Sequence, residues 1–212
     1  DAQESRGLGD VYKRQAVGND KIFQALREMQ DLAPHFISVT ASNNKFDIEE
    51  TTVRLTEFIA NDLKIPTIAH LPAVYLTKDM VSNILQSLDR VGVHQILALR
   101  GDIFPDVAPK DDFTFATDLI EYIKTEAPHF DIIGACYPEG HPDSPNQISD
   151  IQNLKKKVDA GCSSLVTQLF FDNERFYDFQ DKCILAGIEV PIHAGIMPVS
   201  YTHLTLPTKR IV

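Results

Sequence analysis

The chain has 212 residues, 43% of them hydrophobic and 24% charged, which is typical of one globular α/β domain with a substantial core. Its formal net charge of −10 argues against nucleic-acid binding through a basic surface. We find neither a membrane-spanning apolar run nor a signal-peptide pattern, and the three cysteines share no CxxC spacing. The chain is therefore expected to be cytoplasmic, with no membrane association, no disulfide framework and no metal site.

The two ends are antisense to each other. Asp10–Gln15 can be encoded as GAT GTG TAT AAG AGA CAG, and the reverse complement in a shifted frame encodes Ser200–His203. Both segments resemble translations of a transposon-end sequencing adapter. We therefore interpret residues 1–15 and 199–212 as non-native tails and residues 16–198 as the folded domain, with natural sequence expected to be missing at both ends.

The first half of this domain alternates helices with short apolar strands. Apolar spacing predicts a helix over Asn19–Leu32, and Asp47-x-x-Glu50 resembles a capping box at the start of another. Thr77 is the expected cap of a third helix, which ends near Val91. The strands expected between these helices are Phe36–Thr40, Pro66–His70 and Ile96–Leu99.

The second half continues the alternation. Helices are predicted over Phe115–Thr125, from about Ile148 to a glycine stop at Gly161, and from an Asp172 cap to Gly187. The expected strands are Ile132–Cys136, Leu165–Gln168 with an extension to Phe171, and Pro191–Ile196.

Six strands alternate with helices about every 30 residues, and no hairpin signal such as Asn-Gly is present. We predict an α/β fold of the (β/α)8 TIM-barrel type, here incomplete because a closed barrel needs eight strands and the first and last are missing. An open doubly wound sheet is the alternative, although no GxGxxG follows any strand.

Polar residues follow successive strands, at the edge where parallel α/β folds bind ligands. Any one of them could equally be a loop residue or a helix cap. Lys155–Lys157 could be a solvated helix face or could meet a phosphate. The candidates are Thr40, His70, Arg100, Gly101, Asp102, Tyr137, Glu139, His141 and Gln168.

Several motifs, in this order, resemble the methylenetetrahydrofolate reductase family over essentially all of residues 16–198. They are Ser38-Val39-Thr40, Ala69-His70-Leu71, Ala98–Asp102, Tyr137-Pro-Glu-Gly-His-Pro142, Asn153–Gly161, Thr167-Gln-Leu-Phe-Phe-Asp172 and Gly195-Ile-Met-Pro198. The resemblance implies a TIM barrel that binds FAD and reduces 5,10-methylenetetrahydrofolate to 5-methyltetrahydrofolate with NADH or NADPH, in one-carbon metabolism and methionine synthesis. It also implies a cytoplasmic homo-oligomer.

Carried over residue by residue, the resemblance implies a flavin site and a folate site that share Asp102. Asp102 is also implied as the catalytic carboxylate, which stabilises a cationic folate intermediate in a ping-pong reaction. Gln168 is implied to bind the pterin. The implied FAD contacts are Thr40, His70, Arg100, Gly101, Asp102, Ala116, Tyr137, His141, Asp150, Asn153, Lys156 and Lys157.

The chain departs from the family pattern at its ends. The family's general-acid Glu lies in a Phe-Phe-Pro-Pro strand that has no counterpart upstream of Asn19, and nothing beyond Pro198 matches its last strand. We therefore expect these absent parts to be needed for activity, and we expect the open strand edges of this chain to favour aggregation. The alternatives are a folate-binding barrel of a non-redox class, such as a methyltransferase domain, and an inactive product.

Overall fold

A computed structural model describes residues 19–40, 48–103 and 108–196. In these ranges six parallel strands form one sheet in the order of the sequence, and the sheet curls into an open half-barrel with β1 and β6 at its edges. The predicted incomplete TIM barrel is therefore confirmed. The strands are β1 (Ile37–Val39), β2 (Thr67–Pro72), β3 (Gln95–Leu99), β4 (Asp131–Cys136), β5 (Cys162–Thr167) and β6 (Ile192–His193).

Helices connect the strands. Two predicted caps are confirmed, because the Thr77 hydroxyl accepts from the Met80 N–H at 3.2 Å and the Asp172 carboxylate accepts from the Glu174 N–H at 2.9 Å. Asp47, the predicted first residue of a capping box, lies outside the described residues. The helices are α1 (Asn19–Gln30), α2 (Ile48–Glu57, continued by a π-helical turn over Phe58–Asp62), α3 (Lys78–Arg90), α4 (Ala116–Glu126), α5 (Gln147–Asp159) and α6 (Asn173–Leu185).

All six strands have bounds that differ from the predicted ones, and β2, β5 and β6 differ by two residues or more at one end. β2 continues past His70 to Pro72, because its last residues pair with Ala98 and Leu99 of β3. β5 begins at Cys162 rather than Leu165, because Cys162 and Ser164 pair with Ile132 and Ile133 of β4. A register shift lies between these two pairs. It ends at Thr167, so the predicted extension to Phe171 is wrong. β6 is only two residues long rather than six.

Side chains alternate between the two faces of the sheet, and each face carries an apolar cluster. On the outer face, buried residues such as Ile96 and Ile132 pack against α3 and α4 in the main core. On the inner face a smaller cluster contains Ile68, Leu97 and Ile133. His70 is two residues after Ile68 in the same strand, so it points to this inner face. Among the described residues, no helix has the length and apolar composition that crossing a membrane requires.

The three cysteines, Cys136, Cys162 and Cys183, are all buried and free. Burial raises the pKa of Cys162 and of Cys183 to about 11, and raises that of Cys136 further. At pH 8 only about one in a thousand such thiols is ionised, and the thiolate is the reactive form. We therefore expect almost no reaction with a thiol reagent such as DTNB in the native protein and three thiols per chain in guanidinium chloride. Rapid labelling without denaturant would contradict the burial.

Candidate functional site

The loops after β3 and β4 are joined by an ion pair at the carboxyl edge of the sheet. Arg100, directly after β3, donates through Nη2 to Oδ2 of Asp143 at 2.8 Å. The hydrogen bond from Arg100 holds the pKa of the Asp143 carboxyl below its usual value. Asp143 is mostly exposed, whereas the Arg100 side chain is 33% exposed. The pair therefore positions the guanidinium rather than adding much stability.

Gly101 has a left-handed backbone (φ +89°), which favours glycine. A Cβ there would lie 3.0 Å from Cβ of Pro72 and 3.2 Å from Cγ2 of Val74. The next residue, Asp102, has an exposed side chain, and its backbone carbonyl accepts a hydrogen bond from the Tyr75 hydroxyl at 2.6 Å. The turn at Ala73–Tyr75 after β2 thus holds the Arg100–Asp102 segment in place.

The loop after β4 holds Tyr137 and His141 edge to face, with ring centroids 4.5 Å apart. The backbone N–H of His141 donates to Oδ2 of Asp150 at 3.2 Å. The backbone N–H of Asp143 donates to the ring Nδ1 of His141 at 3.1 Å. Burial lowers the pKa of His141, although Asp143 opposes that shift. The imidazole is therefore neutral near pH 7 and carries its proton on Nε2.

The pKa of Tyr137 depends on burial and on charged groups that follow β3. Burial raises its pKa, the Asp102 carboxylate raises it further, and Arg100 opposes the shift. The structure thus brings the ends of β3 and β4 into one electrostatic cluster. Its members are Arg100, Asp102, Tyr137, His141, Asp143 and Asp150.

The three lysines of α5 have different environments. Lys157 is half-buried, donates through Nζ to the Ala135 carbonyl at 2.9 Å, and has its pKa lowered by burial. Lys156 is exposed and donates to Oδ1 of Asn153 at 3.2 Å. Lys155 forms an ion pair with Asp159 on its own helix. Of these three side chains only that of Lys156 is exposed, whereas those of Lys155 and Lys157 are half-buried.

The loop after β5 is tied to the loop after β4. The Gln168 N–H donates to the Cys136 carbonyl at 2.7 Å, and Oε1 of Gln168 accepts from the Leu169 N–H at 3.0 Å. Glu139 accepts from the Phe171 N–H at 3.1 Å. Gln168 therefore lies beside the residue that precedes Tyr137, with its amide oxygen turned towards its own backbone.

Three further candidates lie on β2, after β1 and at the start of α4. Thr40 follows β1 and is half-buried, and the imidazole of His70 shares a hydrogen bond with the hydroxyl of Ser38 on β1. Ala116 begins α4, and its side chain is packed in the main core, so its backbone is the part available to a ligand. Sequence reasoning did not single out Tyr75 or Asp143, and it named Ser38 only as part of the Ser38-Val39-Thr40 motif and not as a site residue. The signal for Asp143 was a carboxylate two residues after His141.

The model of the methylenetetrahydrofolate reductase family matches residues 13–211 of the chain. The 5,10-methylenetetrahydrofolate reductase of Escherichia coli K12 is 36% identical over 179 residues, which are 84% of this chain and 59% of that protein. The reductase of Buchnera aphidicola subsp. Acyrthosiphon pisum is 38% identical over 183 residues, or 85% of this chain and 60% of that protein. The chain thus spans about three fifths of the length of these curated relatives.

Solved structures share the fold at much lower identity. A 2,3-dimethylmalate lyase of the PEP mutase/isocitrate lyase superfamily has a TM-score of 0.59 and 13% identity, covering 85% of this chain and 68% of that one. A Clostridium thermocellum protein that binds two copies of 5-methyl-5,6,7,8-tetrahydrofolic acid has a TM-score of 0.53 and 17% identity, covering 85% of this chain and 61% of that one. These likenesses support the barrel architecture alone. The family match over most of the chain goes further, and it shows that the chain belongs to the methylenetetrahydrofolate reductase family.

Proposed function

We propose that this chain supplies the FAD-binding part, and part of the folate-binding surface, of a protein that reduces 5,10-methylenetetrahydrofolate to 5-methyltetrahydrofolate with NADH or NADPH. The observation that carries the proposal is the convergence of Arg100, Asp102, Tyr137 and His141 at one edge of the sheet of a family member. Ligands of parallel α/β barrels bind at that edge.

The residues at this edge fit FAD by their chemistry. The Arg100 guanidinium and the Lys157 ammonium are cationic donors suited to a diphosphate, and the backbone of Gly101 follows Arg100 at the same edge. Lys157 has given one of its three donors to Ala135, so two remain for a ligand. When bound, FAD supplies hydride transfer between the nicotinamide and the folate.

We assign the remaining contacts by position. Asn153 and Lys156 lie together on the exposed face of α5, where they suit the ribose and diphosphate. Asp150 binds the backbone of His141 and so acts by holding that loop. Thr40, His70 and the backbone of Ala116 complete the proposed set of FAD contacts.

Asp102 and Gln168 are the proposed folate contacts. The exposed Asp102 carboxylate can stabilise the cation that forms when the folate ring opens, because a fixed negative charge lowers the energy of a developing positive one. Gln168 has both a donor and an acceptor for the amide-like edge of a pterin, provided that its oxygen leaves the Leu169 N–H. The Clostridium thermocellum protein that shares the fold binds two copies of 5-methyl-5,6,7,8-tetrahydrofolic acid, which is consistent with a folate ligand for this chain.

A visible absorption spectrum tests the flavin part of the proposal. The chain is mixed with FAD and the excess is removed, and we expect a retained flavin band near one equivalent per chain. The same band is expected from a protein of residues 16–198, because we propose that the two tails are non-native. A correctly folded chain that stays colourless but binds 5-methyltetrahydrofolate would favour a non-redox folate-binding barrel instead.

The role of Asp102 is tested by the Asp→Asn change at its counterpart in a full-length relative such as the E. coli reductase. We expect reoxidation by 5,10-methylenetetrahydrofolate to slow about a hundredfold, because the stabilising charge is lost. Flavin reduction by NADH should keep its rate within a few-fold. Stopped-flow absorbance measures the two half-reactions separately, and equal slowing of both would refute this role.

A further inference from the structure

Three side chains converge on the protein surface at the amino edge of the sheet, opposite the proposed FAD site. Nε2 of His94 lies 3.0 Å from Oδ1 of Asp89, and Nε2 of His129 lies 2.9 Å from the same oxygen. Ligand atoms of the three residues all lie within 4.8 Å of one another. We refer to Asp89, His94 and His129 as the Asp89 cluster.

The backbone brings two members of the cluster together at the end of α3. Gly92 ends this helix with a left-handed backbone (φ +75°), and the Val93 N–H donates to the Leu88 carbonyl at 3.0 Å. The chain thereby turns back towards the end of α3, and His94 contacts Asp89, which lies five residues earlier in the sequence. The geometry is local and is set by the glycine.

The third member enters from the loop before β4. The Asp131 N–H donates to the His94 carbonyl at 2.8 Å, which joins this loop to the one before β3. Phe130 is fully buried, and its ring centroid lies 4.7 Å from that of His129. Lys124 donates through Nζ to the Phe130 carbonyl at 2.6 Å and so holds the loop backbone. Both imidazoles are thus held by elements that pack in the main core.

Two imidazoles and one carboxylate form a ligand set used by zinc and by other first-row transition ions. Bonds of about 2.0–2.2 Å to one ion place neighbouring ligand atoms roughly 3.3–3.5 Å apart, so shifts of about 1 Å would complete the site. The protons now shared with Asp89 would move from Nε2 to Nδ1, leaving each Nε2 lone pair for the metal. The three side chains are 45–51% exposed, which leaves an open side for entry of the ion and for water ligands.

We propose that the Asp89 cluster binds one divalent first-row transition ion of the Zn²⁺ class and thereby ties the end of α3 to the loops that enter β3 and β4. The site lies at the opposite edge of the sheet from the proposed FAD contacts. It therefore does not depend on the proposed function.

Isothermal titration of the full 212-residue chain with Zn²⁺ tests this proposal. We expect one equivalent to bind, and we expect affinity to fall at least about tenfold in Asp89→Asn and in His94→Ala, because each removes a ligand. His35→Ala is the matched control, since it removes an exposed histidine outside the cluster and should leave the affinity unchanged. Circular dichroism of each variant checks that the fold is retained.

Two further readouts separate this site from adventitious binding. Co²⁺ should give a visible spectrum of nitrogen and oxygen ligands without thiolate bands, since the three cysteines are buried. Zn²⁺ should raise the melting temperature of the starting protein but not of His94→Ala. The proposal is overturned if the starting protein binds no Zn²⁺, or if the cluster variants bind it as tightly as His35→Ala does.

Discussion

Replacing Arg100 with alanine is expected to weaken FAD binding by about ten- to a hundredfold. The guanidinium is the cation that the Asp143 contact holds at the carboxyl edge of β3, and its side chain is only 33% exposed. A hydrogen bond to a charged group contributes about 1.5–3 kcal/mol, and each 1.4 kcal/mol is about a tenfold change in affinity. Equilibrium titration of FAD, followed by absorbance or by flavin fluorescence, measures the loss.

Two control variants test whether the loss of FAD affinity is specific to the Arg100 guanidinium. Arg90→Ala removes the same charge from an exposed helix end, where the guanidinium donates to Gln86 and Ser87 of its own helix. It should bind FAD as the starting protein does. Asp143→Asn keeps a side-chain oxygen that can accept from Arg100 and so hold it in place, but it removes the negative charge that competes with a diphosphate, so FAD affinity should be unchanged or higher. Equal affinity in Arg100→Ala and Arg90→Ala would show that Arg100 is not a flavin contact.

Leu119→Ala is expected to lower the free energy of unfolding by about 2–5 kcal/mol. Leu119 is fully buried in the main core, where α4 packs on the outer face of the sheet. Truncation loses the transfer free energy of the removed methyl groups and leaves a cavity that the surrounding side chains fill only in part. Urea denaturation followed by circular dichroism gives the change through the midpoint of unfolding.

Leu185→Ala provides a control of identical chemistry. Leu185 is the last residue of α6, and its side chain is 88% exposed. Both positions are helical, so the difference in helix propensity is nearly the same and burial is what separates them. Leu185→Ala should stay within about 0.5 kcal/mol of the starting protein. A similar loss in both variants would mean that α4 is not packed on the sheet as described.

The local pattern of the sequence was enough to predict the alternation of elements and several helix caps. Apolar runs such as Ile96–Leu99 have the length of buried strands, and the caps at Thr77 and Asp172 are read from one side chain and the residues that follow it. Strand ends were predicted less well. The start of β5 at Cys162 depends on pairing with β4 through a register shift, which the composition of Cys162-Ser-Ser does not encode.

The sequence by itself determined that this is a parallel α/β chain of the methylenetetrahydrofolate reductase family, with polar residues after successive strands. Only the tertiary structure decided which side chains meet. Arg100 contacts Asp143, which is 43 residues away in the sequence, and His129 contacts Asp89, which is 40 residues away. The physical reason is that periodicity and capping act within a few residues, whereas these contacts follow from strand order and register.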